Sequence, residues 1–482
     1  MSKNKKEKLQ RVEPKVLKGF RDYPPEEEIA RQALISRTRR VYEKYGYLPL
    51  QTASLEFAES LLGPHYTDDN LAELFGFGGP DEVDMALRYE FTVSLARYVA
   101  GNPHLQLPFR RYQYGNVWRV DKPGPGRFRE FMQFDIDIVG TASMLADAEI
   151  IAVMVDSLET LGIRNFKVRY SNRKLINGLT TFAGIPEDKA TDVFRVIDKL
   201  DKQGKDAVIE ELGPGRTDQS GDRILGLNLE DKQIDLIIKF LDLALIKTDN
   251  ILDEVQNLLG NVDISNEGIK ELALIQNYLN EMGVDKYKAD IDITIVRGLG
   301  YYTGPVFETT LLDLPEYGSV FSGGRYDNLV NRFSSKSIPA VGSSFGVDRM
   351  LAALFALNTI KIRKSTADVI VTTMDKSRLA DYIRLVGDIR SAGINAEIFM
   401  GETKNLQKQL KYADRLEIPI AVIAGSDEFD QGTITVKNLR AGADKAKEVS
   451  DRDEWLKAEN IQETIKREEL INYLKNMLTE DK

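Results

Sequence analysis

The segment from Arg297 to Glu308, RGLGYYTGPVFE, combines a cation, three glycines and two adjacent tyrosines. Glycine lets a backbone approach a ligand closely, and tyrosines supply hydroxyl groups and flat faces. A site for a small polar or aromatic ligand needs these residue types. A glycine-punctuated strand with core tyrosines has the same composition, so the segment alone leaves both interpretations open.

Arginines cluster in a second segment, between two stretches with strand character at 109–120 and 128–139. The connector KPGPG is rich in turn residues, which favours an antiparallel hairpin. Arg119, Arg127 and Arg129 lie on or beside this hairpin, and the forked guanidinium group suits the oxygens of a triphosphate.

The return strand of the hairpin carries polar residues on every second position. Alternation places Gln133, Asp135 and Asp137 on one face, with apolar residues on the other. The face could bind a ligand. The alternative is a solvent-exposed two-stranded ribbon with cross-strand ion pairs.

A third segment contains SGGRYDNLV and then AVGSSFGVDRM, in which Arg349 stands at the predicted start of a helix. A pair of glycines or a single arginine would be weak evidence for a site. The segment is evidence for a functional site only in combination with the other two segments.

Two amphipathic helices must position these segments. Pro24 and Pro25, followed by three glutamates, predict a helix start, and Gly46 predicts its end. Apolar residues from Met144 at spacings of three and four predict a second helix that stops at Gly162. A strand at 166–170 follows.

The rest of the chain divides by pattern. Residues from about 175 to about 286 are helical and polar, with no strong strand candidates, and strand character returns at 290–296 and continues to Tyr326. Beyond the polar linker KIRKSTAD, a small α/β domain is predicted. Its strands are Val369–Thr373, Ala396–Met400, Ile420–Ala424 and Thr433–Leu439, with helices in the first two gaps.

Composition excludes several classes of site. The 482 residues predict two or three domains, with no cysteine for disulfides or thiolate metal sites and only two histidines, His65 and His104. A net charge of −10 argues against a whole-surface nucleic-acid binder but allows one local basic face. No apolar run is long enough to span a bilayer, and the polar start MSKNKKEKLQ is not a secretory signal, so a cytoplasmic location is expected. That start is interpreted as a frayed tail rather than a nucleic-acid arm.

Taken together and in order, these motifs resemble the histidyl-tRNA synthetase family over roughly residues 18–439. The hairpin sequence VWRVD…GRFREFMQFDIDIVG looks like motif 2 of class II aminoacyl-tRNA synthetases, and FGVDRM looks like motif 3. RGLGYYTGPVFE is similar to the histidine-specific signature, usually RGLDYYTG. ALRYEFTVSLARY and KGFRDYPPEE resemble two further family segments.

The resemblance implies an α/β (α+β) fold with an antiparallel catalytic sheet, a helical insertion and a C-terminal α/β anticodon-binding domain. The implied divisions are 1–174 and 287–361 for the two parts of the catalytic domain, 175–286 for the insertion, and 367–482 for the anticodon-binding domain. The implied activity is histidine–tRNA ligation with ATP and Mg²⁺, without metal ligands assigned in the protein. The implied partners are tRNA(His) and a second copy of the chain, with residues 26–55 forming the dimer face and the insertion clamping the acceptor arm.

The resemblance also implies roles for single residues. Glu90, Thr92 and Gln133 would hold the α-amino group of histidine, while Asp137 and Tyr302 would face its ring nitrogens with Tyr301 alongside. Arg119 would grip the α-phosphate, Arg349 the outer phosphates or adenine, and Arg127 would help to position ATP. Arg297 would contact the α-phosphate and the attacking carboxylate, so Arg297 and Arg119 are the catalytic candidates.

For RNA, four cations spaced by four, three and four residues are predicted to share one helical face: Lys404, Lys408, Lys411 and Arg415. A solvated helix face and a direct tRNA contact remain equal alternatives. Lys437 and Arg440 could extend such a surface.

Four positions depart from the common family pattern. Gly300 replaces an aspartate in the signature, Asp121 a glutamate, Met132 a histidine or tyrosine, and Ala53 a proline. The combination resembles one divergent bacterial branch. It leaves open how the tRNA acceptor end is recognised.

The main rival is a non-catalytic, synthetase-like regulatory paralogue that binds histidine or a partner enzyme. The catalytic arginines and the anticodon-type module argue against it. Another synthetase of the group is a weaker alternative, since a threonyl enzyme needs a Cys/His zinc site that this chain cannot supply.

Overall fold

The computed structural model describes residues 12–65, 67, 71–79, 83–124, 127–217, 221–244, 250–260, 262–295, 301–440 and 462–480. The chain divides into two compact units, one of residues 1–22 and 34–360 and the other of residues 23–33 and 361–482. Within the larger unit, the predicted divisions at 174 and 286 stay predictions.

The larger unit is built on an eight-stranded sheet with the order β1-β5-β6-β13-β12-β11-β7-β10. Its strands are β1 Leu48–Pro49, β5 Phe109–Trp118, β6 Glu130–Val139, β7 Phe166–Asn172, β10 Ala289–Ile291, β11 Pro305–Leu311, β12 Ser319–Arg325 and β13 Ala340–Gly346. From β5 to β7 every neighbouring pair is antiparallel, and only the two edge strands, β1 and β10, run parallel to their neighbours. The predicted antiparallel catalytic sheet is confirmed.

The two helices with predicted start and stop signals, Pro25–Lys44 and Met144–Thr160, are among the helices of the described residues. The α-helices of the described residues are Pro25–Lys44, Ala58–Leu62, Thr92–Gly101, Met144–Thr160, Arg173–Phe182, Glu187–Ile197, Leu200–Leu212, Asp231–Leu243, Ile251–Leu259, Asp263–Glu281, Val347–Ala356, Leu379–Ser391, Leu406–Arg415, Ser426–Gln431 and Leu470–Glu480. The two predicted amphipathic helices are therefore confirmed. Ser143 caps the second of them by accepting a hydrogen bond from the N–H of Leu145.

The predicted hairpin of β5 and β6 is confirmed, with Arg111 opposite Asp137 and Gln113 opposite Asp135. β6 lies between β5 and β13, and its two aspartates, Asp135 and Asp137, are buried, so the solvent-exposed ribbon is excluded. A polar row inside a sheet must be paired or must face a ligand.

Two strand predictions in the larger unit are wrong. Residues 175–286 contain a small antiparallel sheet of β8 Gly215–Thr217 and β9 Arg223–Leu225, strands too short to give an alternating pattern. The strand predicted at 290–296 ends at Ile291, because Asp292 turns the chain by accepting hydrogen bonds from the N–H and hydroxyl of Thr294. A further three-stranded sheet consists of β2 Leu55–Phe57, β4 Asp84–Leu87 and β3 Gly76–Gly78.

The smaller unit is an α/β domain with the strand order β15-β14-β16-β17-β18. Four of these strands were predicted, and they are confirmed as β14 Val369–Val371, β15 Ala396–Ile398, β16 Ile420–Ile423 and β17 Thr433–Asn438. The fifth, β18 Gln462–Lys466, was not predicted, and it extends the sheet by pairing antiparallel with β17. None of the helices in the described ranges is both long and apolar enough for a membrane span.

Candidate active site

A buried ion pair lies in the middle of the larger sheet, beneath the predicted ligand-binding face. The Arg111 guanidinium Nη2 lies 2.7 Å from Oδ2 of Asp137, and both side chains are buried. The other oxygen, Oδ1, accepts a hydrogen bond from the Tyr326 hydroxyl. Gly342 on β13 pairs with Asp137 on β6, and a Cβ atom at position 342 would lie 1.9 Å from Oδ1 of Asp137. Only glycine leaves room for this carboxylate.

Asp135 is the second carboxylate of the row, and within the described residues it forms no ion pair of its own. Burial raises its pKa to about 8, while Arg111 opposes the rise and Asp137 adds to it. Asp135 is therefore largely protonated at neutral pH. Since Arg111 balances Asp137, the group formed by these three residues is close to neutral.

Replacing Asp135 with asparagine is expected to flatten the pH dependence of stability. The folded-state pKa is raised, so between about pH 4 and 8 the folded protein keeps a proton that the unfolded chain releases, and stability falls as pH rises. Asparagine cannot titrate. Between about pH 5.5 and 7.5, the free energy of unfolding of the wild type should fall by about 2 kcal/mol more than that of Asp135→Asn, as measured by urea unfolding. Equal slopes for the two proteins would contradict the assignment.

Glu90 lies at the N-terminus of the helix Thr92–Gly101. Its Oε2 accepts a hydrogen bond from the N–H of Thr92 at 3.0 Å, and its Oε1 accepts one from the N–H of Val93 at 2.6 Å. The Tyr301 hydroxyl also donates to Oε2 at 3.1 Å. These donors and the helix dipole stabilise a buried negative charge. Glu90 therefore supplies an anion in a fixed position.

Three tyrosines form an aromatic wall beside these acids. The ring centroids of Tyr301 and Tyr302 lie 5.1 Å apart, and those of Tyr301 and Tyr326 lie 5.9 Å apart, both in edge-to-face contact. Burial raises the pKa of Tyr301 and Tyr302, and Glu90 raises each further. The charge of Asp137 also raises the pKa of Tyr302. Both phenols thus remain protonated donors. The connected group that contains them is called the chamber, and its residues are Glu90, Arg111, Asp135, Asp137, Tyr301, Tyr302, Tyr326 and Gly342.

Three arginines form a cationic rim, defined here as Arg119, Arg127 and Arg349. Arg119 Nε donates to the carbonyl oxygen of Tyr89, next to Glu90, at 3.2 Å. Arg349 Nη1 donates to a β12 carbonyl at 2.8 Å. Burial lowers the pKa of Arg349, and the charges of Arg127 and Arg119 lower it further. Such mutual repulsion is relieved when a polyanion binds.

The comparisons with known proteins agree with this chemistry. A family model described as histidyl-tRNA synthetase matches residues 19–350, and one described as anticodon binding domain matches residues 368–477. The chain belongs to the histidyl-tRNA synthetase family. The predicted family and enzyme class, an aminoacyl-tRNA synthetase and hence a ligase, are confirmed.

Curated relatives in this family match along nearly their whole length. The histidine–tRNA ligase of Ruegeria sp. (strain TM1040) is 43% identical over 483 residues, which cover 96% of this chain and 95% of that protein. The histidine–tRNA ligase of Paracoccus denitrificans (strain Pd 1222) is 42% identical over 499 residues, covering 99% of this chain and 100% of that protein.

Solved structures give the same fold. The crystal structure of histidyl-tRNA synthetase from Nostoc sp. PCC 7120 has a TM-score of 0.80 and 29% identity, and the match covers 97% of this chain and 100% of that one. A Bacillus halodurans C structure described as an ATP phosphoribosyltransferase regulatory subunit/histidyl-tRNA synthetase has a TM-score of 0.67 at 22% identity, covering 82% and 95%. This second likeness shows the fold alone.

Most residues that the family resemblance singled out come together in the structure. Gln133 is in register with Gly346, directly before the helix of Arg349, and its buried Oε1 accepts no hydrogen bond from the part of the chain that the structure describes. Thr92 follows Glu90 at the helix start. Arg297 and Gly300 lie outside the described residues, so their predicted roles stay predictions.

Three of the four positions that depart from the family pattern contribute backbone atoms. The carbonyl oxygen of Ala53 accepts from Arg88 Nη1 at 3.3 Å, and that of Asp121 accepts from Arg129 Nε at 3.3 Å. The N–H of Met132 donates to a carboxylate oxygen of Asp348 at 3.0 Å. These contacts do not depend on the side chain at the departing position.

The basic helix of the anticodon-binding unit differs from its prediction at one end. The helix begins at Leu406 and is capped by Asn405, whose side chain accepts from the N–H of Lys408. Lys404 therefore precedes the helix and does not share its face. The remaining three cations, Lys408, Lys411 and Arg415, lie on the helix and are exposed.

Sequence reasoning missed three residues of the chamber: Arg111, Tyr326 and Gly342. Arg111 lies on β5 among alternating residues, and only the register with β6 brings it opposite Asp137. Tyr326 was noted only as part of SGGRYDNLV, although a tyrosine after a glycine pair could have been considered as a ligand contact. Gly342 gave no signal before the register with Asp137 was known.

Proposed function

We propose that this chain is a histidine–tRNA ligase that activates histidine with ATP and transfers it to tRNA(His). The observation that carries the proposal is the meeting of two groups of side chains around the β5–β6 hairpin of the larger unit. A buried chamber of acids and tyrosines lies beside the cationic rim, and the Arg119–Tyr89 hydrogen bond joins them. The chamber suits an amino acid with a polar ring, and the rim suits a triphosphate.

In the chamber, Glu90 would bind the α-ammonium group of histidine together with Thr92 and Gln133. Because Arg111 balances Asp137, the charge of Glu90 is the one left for a ligand cation. A carboxylate has about four lone-pair sites, so Glu90, which accepts from Thr92, Val93 and Tyr301, keeps room for about one more hydrogen bond.

The ring of histidine would lie against Tyr301, with Tyr302 and Asp137 facing its nitrogens. Asp137 is held by Arg111 and Tyr326 and keeps acceptor capacity, while Tyr302 is a protonated donor. One donor and one acceptor fit a neutral imidazole. An amino acid without these ring atoms would leave buried polar groups unpaired, which is worth discrimination on the order of 10⁴.

On the rim, Arg119 would bind the α-phosphate, and Arg127 and Arg349 the remaining phosphates or the adenine. A histidine carboxylate oxygen attacks the α-phosphorus, the bond to pyrophosphate breaks, and histidyl-adenylate forms. A terminal hydroxyl of the tRNA then attacks the carbonyl carbon, and AMP leaves. The protein contributes position and positive charge, with no nucleophile of its own.

Mg²⁺ would accompany the triphosphate. Among the residues that the structure describes, no three histidine or acidic side chains form a group that could hold a metal ion. The charge that the described residues offer to the phosphates is that of the cationic rim. We propose a cytoplasmic location as well, a compartment that holds the proposed substrates ATP and tRNA.

The test of the function is ATP–pyrophosphate exchange with each of the standard amino acids in turn. Exchange with histidine alone is expected. No exchange with histidine, with histidine still bound, would favour the regulatory paralogue instead. Exchange with a different amino acid would reassign the specificity of the chamber.

We also propose that tRNA(His) contacts the exposed cations Lys408, Lys411 and Arg415, with Lys404 beside the helix start. The face is strongly polar, since within this helix only Gln409 and Ala413 are buried. The spacing suits neighbouring phosphates along a backbone, because Lys and Arg make most phosphate contacts.

We propose further that the chain is a homodimer through the edge of its larger sheet. β1 is an edge strand of the larger sheet and carries Leu48, and β2, which follows it in the chain and is an edge strand of the three-stranded sheet, carries Leu55 and Phe57; the three side chains are exposed by 57%, 39% and 55%. The predicted dimer face at 26–55 includes two of them. Exposed apolar side chains grouped near a strand edge are typical of an interface.

Phe57→Asp is expected to weaken this dimer, because a buried charge would replace an apolar contact. The dissociation constant should rise by at least about 100-fold, measured by light scattering after size exclusion over a dilution series. Leu225→Asp is the matched control, since Leu225 is 78% exposed on β9 of the same unit. A monomeric wild type, or equal weakening by both variants, would contradict the proposed face.

A further inference from the structure

The N-terminal segment, residues 17–22, runs beside the loop that connects β5 and β6. The N–H of Arg119 donates to the carbonyl oxygen of Arg129 at 2.8 Å, and the N–H of Arg129 donates to the carbonyl oxygen of Gly19 at 2.8 Å. The backbone of Gly19 therefore lies next to Arg129, as a third segment hydrogen-bonded to the hairpin. The hairpin arm that carries Arg119 is thus tied to the N-terminal segment.

Gly19 permits this close approach. Its φ angle is +87°, and a Cβ atom there would lie 2.8 Å from Cγ of Arg129 and 2.9 Å from Cγ of Pro123. Any other residue would have to adopt a strained backbone and would also push the loop away.

Arg21 contacts the chain neighbours of two residues of the cationic rim, Arg127 and Arg349. Its guanidinium carbon lies 4.7 Å from the centroid of the Phe128 ring, and Phe128 directly follows Arg127. Its Nη2 lies 4.0 Å from Oδ1 of Asp348, and Asp348 directly precedes Arg349. Arg21 is only 31% exposed and Asp348 only 7%. A partly desolvated contact of this kind fixes its partners more firmly than a surface pair does.

Asp348 completes the connection between the two sides. Its second oxygen, Oδ2, accepts a hydrogen bond from the N–H of Met132 on the return strand at 3.0 Å. The helix that carries Arg349, the strand after Arg127 and the N-terminal segment therefore share one carboxylate. A change in the position of Arg21 would therefore alter the contacts that Asp348 makes with the helix, the strand and the N-terminal segment.

We propose that Arg21 is a positioning residue for the triphosphate, acting through Phe128 and Asp348 to hold Arg127 and Arg349 at the spacing that ATP needs. The inference rests on the proposed function and assigns a role in nucleotide binding to the N-terminal segment. Arg21 contacts Phe128 and Asp348, which neighbour the ATP-side residues Arg127 and Arg349 in the chain, so its effect is expected on the ATP side of the site.

The test is the steady-state kinetics of ATP–pyrophosphate exchange by Arg21→Met. Loss of a partly desolvated cation–π contact and its ion pair corresponds to a rise of about tenfold in KM for ATP, with KM for histidine unchanged. Arg21→Lys keeps the charge without the flat guanidinium, so its KM for ATP should lie between those of the wild type and Arg21→Met. Lys122→Met is the control, since Lys122 is an exposed cation on the same loop. Phe128→Leu should raise KM for ATP as well, and the double variant should be no worse than the stronger single variant.

Backbone hydrogen exchange of the same variant gives a readout that does not require activity. In Arg21→Met, the amides of Arg129 and Met132 should exchange faster than in the wild type, because Gly19 and Asp348 hold them less firmly. Unchanged exchange at these amides, or equal rises in KM for ATP and for histidine, would overturn the positioning role. A wild type that shows no histidine-dependent turnover would instead refute the proposed function, while the amide measurement would still decide the role of Arg21.

Discussion

Arg119→Ala is expected to reduce histidine-dependent ATP–pyrophosphate exchange by about 10³-fold, the scale of removing a preorganised donor from a charge that develops in the transition state. The Arg119 side chain is fixed before substrate binds, by its hydrogen bond to the carbonyl oxygen of Tyr89 and by contact with the Phe131 ring, 5.1 Å from centroid to guanidinium carbon. A cation held in this way needs no reorganisation when pyrophosphate leaves. The loss should therefore fall mainly on kcat.

Conservative and control variants separate the charge of Arg119 from its geometry. Arg119→Lys keeps the charge but cannot both donate to Tyr89 and grip a phosphate in the two-pronged manner of a guanidinium. It should recover only part of the activity. Lys122→Ala, which removes an exposed cation from the same hairpin, should stay close to the wild type. Exchange by Arg119→Ala within about tenfold of the wild type would remove Arg119 from the mechanism.

The hairpin and its two faces could be predicted because they depend on local patterns. Alternation from Gln133 to Asp137 fixes which side chains share a face, and KPGPG marks the turn. The identity of the neighbouring strand does not follow from alternation. The pairing of Arg111 with Asp137 depends on the β5–β6 register, and the need for Gly342 depends on the β6–β13 register.

The strands that were not predicted from the sequence are either very short or bury few apolar side chains. The strands β8 and β9 have three residues each, too few to show a period of two. β18 pairs with β17, but its residues, QETIK, include only one buried apolar side chain, Ile465. A strand that buries so little carries almost no sequence signal. Its place in the sheet is set by tertiary pairing.

The start of the helix Leu406–Arg415 determines which cations share its exposed face. The predicted face of four cations assumed that Lys404 was helical, yet Asn405 accepts a hydrogen bond from the N–H of Lys408 and starts the helix after it. Asparagine before an apolar residue is a recognised cap signal, so the sequence contained the information. The spacing of charges alone gave the wrong set.

The SGGRYD segment shows how a residue can be singled out without its role. Arg325 was seen only as part of a glycine-rich motif, but its guanidinium is buried against Asp147, 178 residues away in the chain. Both side chains are almost inaccessible, at 3% and 0% exposure. Arg325 also donates to the carbonyl oxygens of Thr141 and Ser143, so it joins the end of β12 to the start of the helix Met144–Thr160.

Asp147→Leu is expected to lower the free energy of unfolding of the larger unit by up to about 3–5 kcal/mol, because the buried Arg325 would keep, among the described residues, only the more exposed carboxylate of Asp327, 3.2 Å away, as an ionic partner. The double variant Asp147→Leu/Arg325→Met should recover about half of this loss. Full recovery is not expected, since the carbonyl groups of Thr141 and Ser143 would lose their donor, at a cost of about 1–3 kcal/mol in total.

The pKa of Asp147 indicates why the pair itself contributes little. Burial raises that pKa to about 6 even though Arg325 acts to lower it, so desolvation outweighs the attraction between the charges. Breaking the pair is costly because one charge remains, whereas removing both charges returns most of the desolvation cost. Urea unfolding of the wild type and of the single and double variants, followed at one pH near neutrality, measures each step. A double variant no more stable than Asp147→Leu would show that the buried charge left on Arg325 is not what makes the single variant costly, and would contradict this balance.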